Sequence, residues 1–348
     1  MGLKKGKFVF LGILLIFVLL LSACSGSSGG KGENLNLVIS HFLPSTHPIE
    51  TEIFKEFGDT LNKESDGRIT YDTYPANSLG AANAHYDMAV TGEADVALSV
   101  HGYTPGRFPL VSVLELPFLS ESGEHGSKII AKLLEEFPEF KEEHGDTVPL
   151  WLFSADPAQI ISKNYRIETP EDLEGLRVRS PSPLANKIIE HLGGVPVSMP
   201  MGDVYEALDR GVIDAAMVPL EALYNYNFYE IAKYVTVGHF SSTPFFSVMN
   251  KDTYDSLSDS EKKVLEKVSG IEMSAKSGRV FDVDAEKGVE LSKEKGAEFI
   301  ELTGDKLKPW QDALQPIVEE WIAEMEKEGF DAQKIYDRAM ELKEEVRE

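Results

Sequence analysis

Tyr86-x5-Gly92-x2-Asp95-x-Ala97 recurs further along the chain as Tyr205-x5-Gly211-x2-Asp214-x-Ala216. In both copies the glycine can take the left-handed conformation that ends a helix, and an apolar strand follows it. The pattern predicts helix ends at residues 86–91 and 204–210, and strands at residues 94–100 and 212–218. Two copies of a strand, helix and strand predict two α/β lobes with a cleft between them. The alternative is chance, because Gly and Asp are common around turns.

The N-terminus has the features of a signal peptide. Three lysines precede an apolar run at residues 8–21, which is shorter than the ~20 residues that a permanent membrane-spanning helix needs. The run leads into Leu21-Ser22-Ala23-Cys24, which is similar to the bacterial lipobox, whose cysteine is lipidated and becomes the mature N-terminus. The alternative is an ordinary secretory signal with a coincidental cysteine. Cys24 is the only cysteine of the chain, so no internal disulfide is expected.

These features predict a lipoprotein signal peptide at residues 1–23 and a flexible Ser/Gly-rich tether at residues 24–33. The mature protein is therefore expected outside the cytoplasm, anchored to the outer face of the cell membrane through lipid on Cys24. Loss of the three lysines takes the formal net charge from −24 to −27. Such an acidic surface argues against nucleic acid and anionic lipid as partners. The remaining chain is long enough for two domains with cores of their own.

Three helical regions are predicted from capping signals and from the spacing of apolar residues. The capping box Ser258-Asp259-Ser260-Glu261 predicts the start of a helical region that extends to residue 296. Three glycines inside it each cost up to ~1 kcal/mol relative to alanine, so the helix needs support from packing. Residues 125–144 are also predicted as helical. A further helix is predicted at residues 309–328, with Ile317, Trp321 and Met325 on one face.

No catalytic signature is found in the sequence. It contains no nucleophile-elbow motif in the body, no H-E-x-x-H motif and no phosphate-binding glycine loop. The eight histidines are scattered, and His41 and His47 are the nearest approach to metal-ligand spacing. We therefore expect a protein that is not an enzyme and that carries no metal or cofactor.

The strand at residues 176–180 carries two arginines on one face. Strand alternation places Arg177 and Arg179 together, opposite Leu176 and Val178. In open α/β sheets ligands bind beyond the carboxyl ends of strands, and Arg179 is nearer to that end. Its guanidinium could hold a carboxylate through two parallel hydrogen bonds. The alternative, which spacing alone favours, is a pair of surface ion pairs worth ~0 to 1 kcal/mol each.

Several longer segments form a specific set together with the lipobox and the arginine strand. They are His41-Phe42-Leu43-Pro44, Tyr74-Pro75-Ala76-Asn77-Ser78-Leu79-Gly80, and residues 102–109, 115–118, 173–179, 192–200 and 211–214. On these segments the chain resembles the DctP-type solute receptors of tripartite ATP-independent (TRAP) transporters over nearly its whole mature length. The resemblance implies a type II periplasmic-binding-protein-like α/β fold, with two lobes around a ligand cleft and a long helix, placed at residues 258–296, across both. It assigns residues 34–155 and about 245–284 to lobe I, and residues 156–244 and about 285–348 to lobe II.

The resemblance also implies which residues bind the ligand. Arg179 corresponds to the strand arginine that usually grips a ligand carboxylate in this family. Other candidates are placed by position alone, and they are Gln159, Glu221, His239, Phe245, His41, His101 and Tyr103. Sialic-acid and dicarboxylate members have a second arginine where this chain reads Ala158-Gln159, and an amide where it reads Met217-Val218-Pro219. These departures count against sialic acid and similar polyhydroxylated acids.

The predicted function is that of a monomeric binding protein that captures a small organic anion, a carboxylate above all, in the cleft between the lobes and delivers it to the TRAP membrane permease subunits. One alternative is a ligand sensor that uses the same pocket but docks onto a membrane kinase or chemoreceptor. Another is an extracellular hydrolase with paired carboxylates, although most of the 58 acidic residues are expected on a solvated surface.

Overall fold

The computed structural model describes residues 34–347. The predicted signal peptide and the lipidation site Cys24 lie outside the described residues. Within them, no helix combines the length and the apolar character that crossing a bilayer requires.

The strands form two separate sheets. In sequence order the strands are β1 (Leu35–His41), β2 (Ile69–Tyr74), β3 (Val96–Val100), β4 (Val148–Ser154), β5 (Ala158–Ser162), β6 (Arg177–Ser180), β7 (Val195–Ser198), β8 (Ala215–Pro219), β9 (Tyr234–Ser241), β10 (Pro244–Met249) and β11 (Glu298–Glu301). The first sheet has the order β2-β1-β3-β10-β4, and the second has the order β7-β6-β8-β5-β9-β11. In each sheet the first three strands pair in parallel, and the fourth pairs antiparallel with both of its neighbours.

The repeated aspartate makes the same contacts in both sheets. The N–H of Asp95 donates to the carbonyl of Val38 in β1, and Asp95 Oδ2 accepts the N–H of Val38 at 2.8 Å. Asp214 makes the same two hydrogen bonds with Arg177 in β6, the second of them at 2.9 Å. The preceding glycines, at positions 92 and 211, have φ angles of 76° and 72°. The sequence repeat therefore reflects two halves built alike, and the prediction of two α/β lobes is confirmed.

Helices cover the sheets. They are α1 (Lys55–Glu64), α2 (His85–Thr91), α3 (Gly123–Glu136), α4 (Pro138–Glu143), α5 (Pro183–His191), α6 (Val204–Asp209), α7 (Glu221–Asn225), α8 (Lys251–Ser256), α9 (Asp259–Lys267), α10 (Gly270–Glu294), α11 (Lys308–Lys327) and α12 (Ala332–Glu345). A π-helical turn at Ile49–Phe54 leads into α1, and short 3₁₀ turns include His101–Tyr103, Leu110–Glu115 and Met201–Asp203.

The long helix is shorter than the sequence predicted. The region from residue 258 to 296 forms two helices, α9 and α10, because Ser269 adopts an extended backbone between them. Only α10 crosses both halves, and its glycines make this possible. A Cβ at Gly278 would collide with the carbonyl of Gly123 in α3, and one at Gly288 would lie 2.8 Å from the carbonyl oxygen of Leu220. The packing that the sequence required for these glycines is therefore present.

Two further helix predictions have mixed outcomes. The region 125–144 also divides, into α3 and α4, because Phe137 is extended before Pro138. The helix predicted at residues 309–328 is present as α11, with Ile317, Trp321 and Met325 buried. The final helix α12 packs on α3 of the first half as well as on α11. The division of the chain between the lobes stays a prediction.

Besides α10, two strand connections cross between the halves. Strand β4 of the first sheet leads directly into β5 of the second, and β9 of the second leads directly into β10 of the first. The two crossings touch, since the N–H of Ala155 donates to the carbonyl of Thr243. Paired crossings of this kind place the ends of the strands from both sheets around one space.

Candidate functional site

A cavity lies between the two halves at the ends of their strands. Together with the open solvent at its mouth it takes up about 300 Å³, and it is lined by Phe42, Leu43, Val100, Tyr103, Ala155, Arg179, Pro181, Met201, Pro219, Glu221, Tyr226, Thr243 and Phe245. Phe42, Tyr103, Pro181 and Glu221 lie just beyond the carboxyl ends of parallel strands, where open α/β sheets bind ligands. The volume open to the centre of a water molecule is only about 20 Å³, room for one or two waters, so a larger ligand needs the two halves to move apart.

Arg179 is the positively charged residue of this cavity. Its side chain is only 1% exposed. Nε donates to the carbonyl of Met199 at 3.0 Å, and Nη1 donates to the carbonyl of Met217 at 2.9 Å. Nη2 donates to the hydroxyl of Tyr103 at 3.2 Å. A guanidinium has five N–H groups, so one remains on each terminal nitrogen.

The charge of Arg179 has no counter-ion in the described part of the chain. No carboxylate of residues 34–347 lies within 4.0 Å of its nitrogens, and burial lowers its pKa. Carbonyl groups satisfy its hydrogen bonds but do not neutralise it. An unpaired charge taken out of water is costly, so the site is suited to an anion that supplies the missing charge.

Arg177 behaves differently, although it shares a strand face with Arg179. Its guanidinium is 45% exposed and pairs with Asp214 at 2.8 Å. The alternative offered by the sequence, a surface ion pair, therefore describes Arg177. Arg179 is turned inward instead, toward the carbonyls of the neighbouring segments.

Tyr103 joins the two halves at the cavity. It belongs to the 3₁₀ turn that follows β3 of the first half, and its hydroxyl oxygen accepts hydrogen bonds from Arg179 and from the N–H of Met201 in the second half. Because the oxygen accepts both bonds, the hydrogen of the hydroxyl is left to donate. Arg179 and Tyr103 together therefore offer several donors to one anionic group.

Glu221 supplies a negatively charged group to the same cavity. It begins α7, directly beyond β8, and is 2% exposed. Its neighbour Asp156 accepts hydrogen bonds from the N–H groups of Leu220 and Glu221. Burial, together with the charges of Glu221 and Asp282, raises the pKa of Asp156 well above its usual range.

Aromatic rings form the apolar wall of the cavity. The rings of Phe42 and Phe245 lie nearly parallel with centroids 6.1 Å apart, and Tyr103 contacts the edge of Phe42 at 5.5 Å. Tyr226 adds a buried hydroxyl that has no hydrogen-bond partner within residues 34–347. The sequence prediction of the site missed Phe42 and Tyr226. The rule that selected Arg179 also applies to Phe42, which follows β1, whereas no sequence signal indicates Tyr226.

A family model for "Bacterial extracellular solute-binding protein, family 7", named DctP, matches residues 39–325. The chain belongs to the DctP family. Among its curated relatives is the 2,3-diketo-L-gulonate-binding periplasmic protein YiaO of Escherichia coli, which is 27% identical over 285 residues, with 81% of this chain and 86% of the relative covered. The resemblance predicted from the sequence is thereby confirmed, and the protein is a member of an extracellular solute-binding family.

Solved structures of TRAP solute-binding proteins share the fold of this DctP protein. One, from a marine metagenome and specific for aromatic acids, was solved with 3-hydroxybenzoate; it is 30% identical, with a TM-score of 0.86 and coverage of 91% of this chain and 100% of that one. Another, from Rhodoferax ferrireducens and holding copurified benzoate, is 28% identical, with a TM-score of 0.85 and coverage of 90% and 98%. The predicted two-lobed binding-protein fold is therefore confirmed.

The structure brings four of the eight predicted ligand-binding residues of this DctP protein to the cavity. These are Arg179, Tyr103, Glu221 and Phe245. Gln159 and His239 lie elsewhere, because the pairing of β5 with β9 shifts register after Ala158. Gln159 Oε1 accepts the N–H groups of Gly238 and His239 at 2.7 and 2.9 Å, and His239 has a positive φ of 54°. Both residues therefore belong to the irregular pairing of β5 with β9 in the second sheet, where the side chain of Gln159 bonds the backbone of β9.

His41 and His101 are also buried away from the cavity of the DctP protein. His41 Nε2 lies 2.8 Å from Glu50 Oε2, and its ring stacks on Phe54. His101 Nε2 lies 3.0 Å from His144 Nε2, and burial holds the pKa of His101 well below its usual range. Their positions next to strand ends suggested a binding role, but these side chains point into the interior of the first half.

A larger groove of about 690 Å³ lies on the outside of the contact between the halves, between residues 101–115, α5 and α11. Lys187 lines it and pairs with Glu324. Because Glu324 already neutralises the charge of Lys187, this groove is a weaker candidate for anion binding than the cavity at Arg179. No group of three or more His, Cys, Asp or Glu side chains in residues 34–347 is arranged to hold a metal ion.

Proposed function

We propose that this DctP protein captures a small aromatic monocarboxylate in the cavity at Arg179 and delivers it to the membrane permease of a TRAP transporter. The observation that carries the proposal is the buried charge of Arg179, which has no counter-ion among residues 34–347 and keeps two N–H groups that these residues do not use. A carboxylate fits this need, because its two oxygens match the fork of a guanidinium.

The walls of the cavity support an aromatic ligand. Phe42, Phe245 and Tyr103 present ring faces and edges to the space, and aromatic pairs gain about 0.5–1.5 kcal/mol beyond the burial of their area. Glu221 supports a single carboxylate, since a second anionic group in the cavity would be repelled by it. The benzoate and 3-hydroxybenzoate bound by the two related structures are of this chemical class.

Closure around the ligand supports a role in delivery. The hydroxyl of Tyr103 connects the first half to Arg179 and Met201 of the second, so a carboxylate on Arg179 would be held by both halves. Binding energy then favours the closed arrangement of the lobes, which a permease can distinguish from the open one. We further propose that Cys24 carries the lipid that anchors the protein outside the cytoplasmic membrane, which keeps the receptor near its permease.

The proposal is tested by thermal unfolding of the mature protein with benzoate and with a panel of other carboxylates and sulfonates. At a benzoate concentration 100 times the Kd, the expected stabilisation is about 2.7 kcal/mol. Arg179→Lys is expected to lose it, because an ammonium cannot form two parallel hydrogen bonds. Arg177→Lys on the same strand is the matched control and should keep it. Retention of the stabilisation by Arg179→Lys, or no stabilisation of the unsubstituted protein by any aromatic carboxylate, would contradict the proposal.

A further inference from the structure

The cavity contains polar groups that a plain aromatic carboxylate does not use. We propose that the ligand also carries a hydroxyl group on its ring and that Glu221 accepts the hydrogen of this hydroxyl. The inference rests on the proposed function, because it assumes that the carboxylate is held by Arg179. It assigns Glu221 the role of selecting among aromatic acids.

Neighbouring side chains hold the carboxylate of Glu221 in one orientation. Its Oε2 accepts a hydrogen bond from Asn225 Nδ2 at 2.8 Å and lies 3.5 Å from His47 Nε2. His47 Nδ1 accepts the N–H of Ile49, so Nε2, the ring nitrogen that faces Glu221, carries a proton. Asn225 is itself fixed by a second hydrogen bond to Asp284 at 2.9 Å.

The other oxygen of Glu221 is free to accept. Glu221 lines the cavity, and within residues 34–347 its Oε1 has no hydrogen-bond partner. Only 2% of Glu221 is exposed to solvent. Once a ligand excludes water from the cavity, an acceptor left without a donor costs about 1–3 kcal/mol, and more when it is charged. A donor on the ligand would remove this cost.

Tyr226 lines the cavity together with Arg179 and Glu221. Its hydroxyl is buried and has no partner in the described part of the chain. Burial raises the pKa of Tyr226 well above its usual range, the charge of Glu221 adds to the rise, and the charge of Arg179 opposes it. The charges of both residues therefore act on the phenol, and a ligand in this cavity shares its space with the Tyr226 hydroxyl. Its hydroxyl can donate to or accept from a hydroxyl of the ligand.

Two other ligand types fit these groups less well. Benzoate would leave both Glu221 Oε1 and the hydroxyl of Tyr226 without a partner after water is excluded. A dicarboxylate would bring a second anion against Glu221. A hydroxyl group donates to Glu221 and adds no charge, so hydroxylated aromatic monocarboxylates are the class that satisfies both ends of the cavity.

The test compares benzoate with 3- and 4-hydroxybenzoate and with 3- and 4-fluorobenzoate by isothermal titration calorimetry. Fluorine is close to a hydroxyl in size but cannot donate a hydrogen. At least one hydroxybenzoate should bind about 10- to 100-fold more tightly than benzoate and than its fluoro analogue, which corresponds to a hydrogen bond to a charged acceptor. In Glu221→Ala this ratio should fall toward one. Glu143→Gln, which alters a half-buried carboxylate outside the cavity, should keep the ratio.

The outcomes separate the inference from the proposed function. If none of these ligands binds the unsubstituted protein, the proposed function is wrong and the inference falls with it. If benzoate and both hydroxybenzoates bind equally well, or if the ratio persists in Glu221→Ala, the inference is overturned and the proposed function stands. If Glu221→Ala does not fold, Glu221→Gln decides, because the loss of the charge should reduce the ratio and an unchanged ratio would overturn the inference.

Discussion

Strands β1 and β6 occupy the same place in the two halves, yet only one of them carries a charge into the cavity. Val38 and Arg177 make matching hydrogen bonds with Asp95 and Asp214. Two residues further on, the first half has Ser40 and the second has Arg179. Ser40 Oγ lies 3.1 Å from His85 Nδ1, inside the first half, whereas Arg179 extends to carbonyl groups around the cavity. One scaffold therefore serves both halves, and a single position decides which half brings a positive charge to the cavity.

The largest expected effect comes from making the two halves alike at this position. Arg179→Ser should weaken benzoate binding about 100-fold or more, because truncating one partner of a buried charge pair costs about 2–5 kcal/mol. Ser40→Ala should leave the affinity within about twofold, since Ser40 faces His85. Calorimetric titration of both folded variants measures the effect. Equal losses in the two variants would show that the halves do not differ as the structure indicates.

The second prediction concerns a carboxyl at the contact between the halves. Glu115 of the first half accepts a hydrogen bond from Ser182 of the second, and burial raises its pKa to about 7. The carboxyl group of Glu115 therefore binds its proton more tightly in the folded protein than in the unfolded chain. This contribution to stability is complete below about pH 4.5 and is lost as the pH rises through about 7, by about 3 kcal/mol at most.

Urea unfolding at pH 5 and pH 8 checks this expectation. Glu115→Gln should lose less stability than the unsubstituted protein between the two pH values, because the amide does not ionise. Glu139→Gln, at an exposed position, is the control and should keep the original pH dependence. The same pH dependence in Glu115→Gln and in the control would show that Glu115 does not titrate in this range.

The third prediction tests what the two halves share. Asp95→Ala and Asp214→Ala should each lower the free energy of unfolding by about 2–3 kcal/mol, because each leaves a strand N–H without its charged acceptor. Arg177→Ala keeps that backbone bond and removes a surface ion pair with Asp214 and a hydrogen bond to the carbonyl of Gly211, so it should cost less than either aspartate substitution. Denaturant unfolding of the three variants is the measurement. A cost for Arg177→Ala as large as that for Asp214→Ala would place the stabilisation in the ion pair instead.

The sequence allowed the scaffold and the centre of the site to be predicted for physical reasons that are visible in the structure. The repeat indicated two similar halves because its residues play the same part in each: Gly92 and Gly211 adopt a positive φ, and the aspartate after each glycine bonds the neighbouring strand. Arg179 was singled out because it alternates onto the polar face of a strand near its carboxyl end, and family resemblance favoured a binding role.

The remaining residues depend on features that no local pattern encodes. Gln159 and His239 were predicted for the site, but a register shift between β5 and β9 uses them within the sheet. Tyr226 reaches the cavity only because the short helix α7 turns the chain back toward it. Tertiary contacts, not local preference, decide these positions. The interruption of the long helix is different, because Gly270 after Ser269 has a φ of 70° and is a local helix-breaking signal that the prediction placed inside the helix.

The most direct test of the account is a crystal structure of the mature protein with benzoate. We expect both carboxylate oxygens of benzoate to lie within hydrogen-bond distance of Arg179 Nη1 and Nη2, and the benzoate ring to lie against Phe42 and Phe245. Benzoate bound in the groove beside Trp321 and Lys187, or Arg179 turned away from the ligand and paired with Glu221, would contradict it.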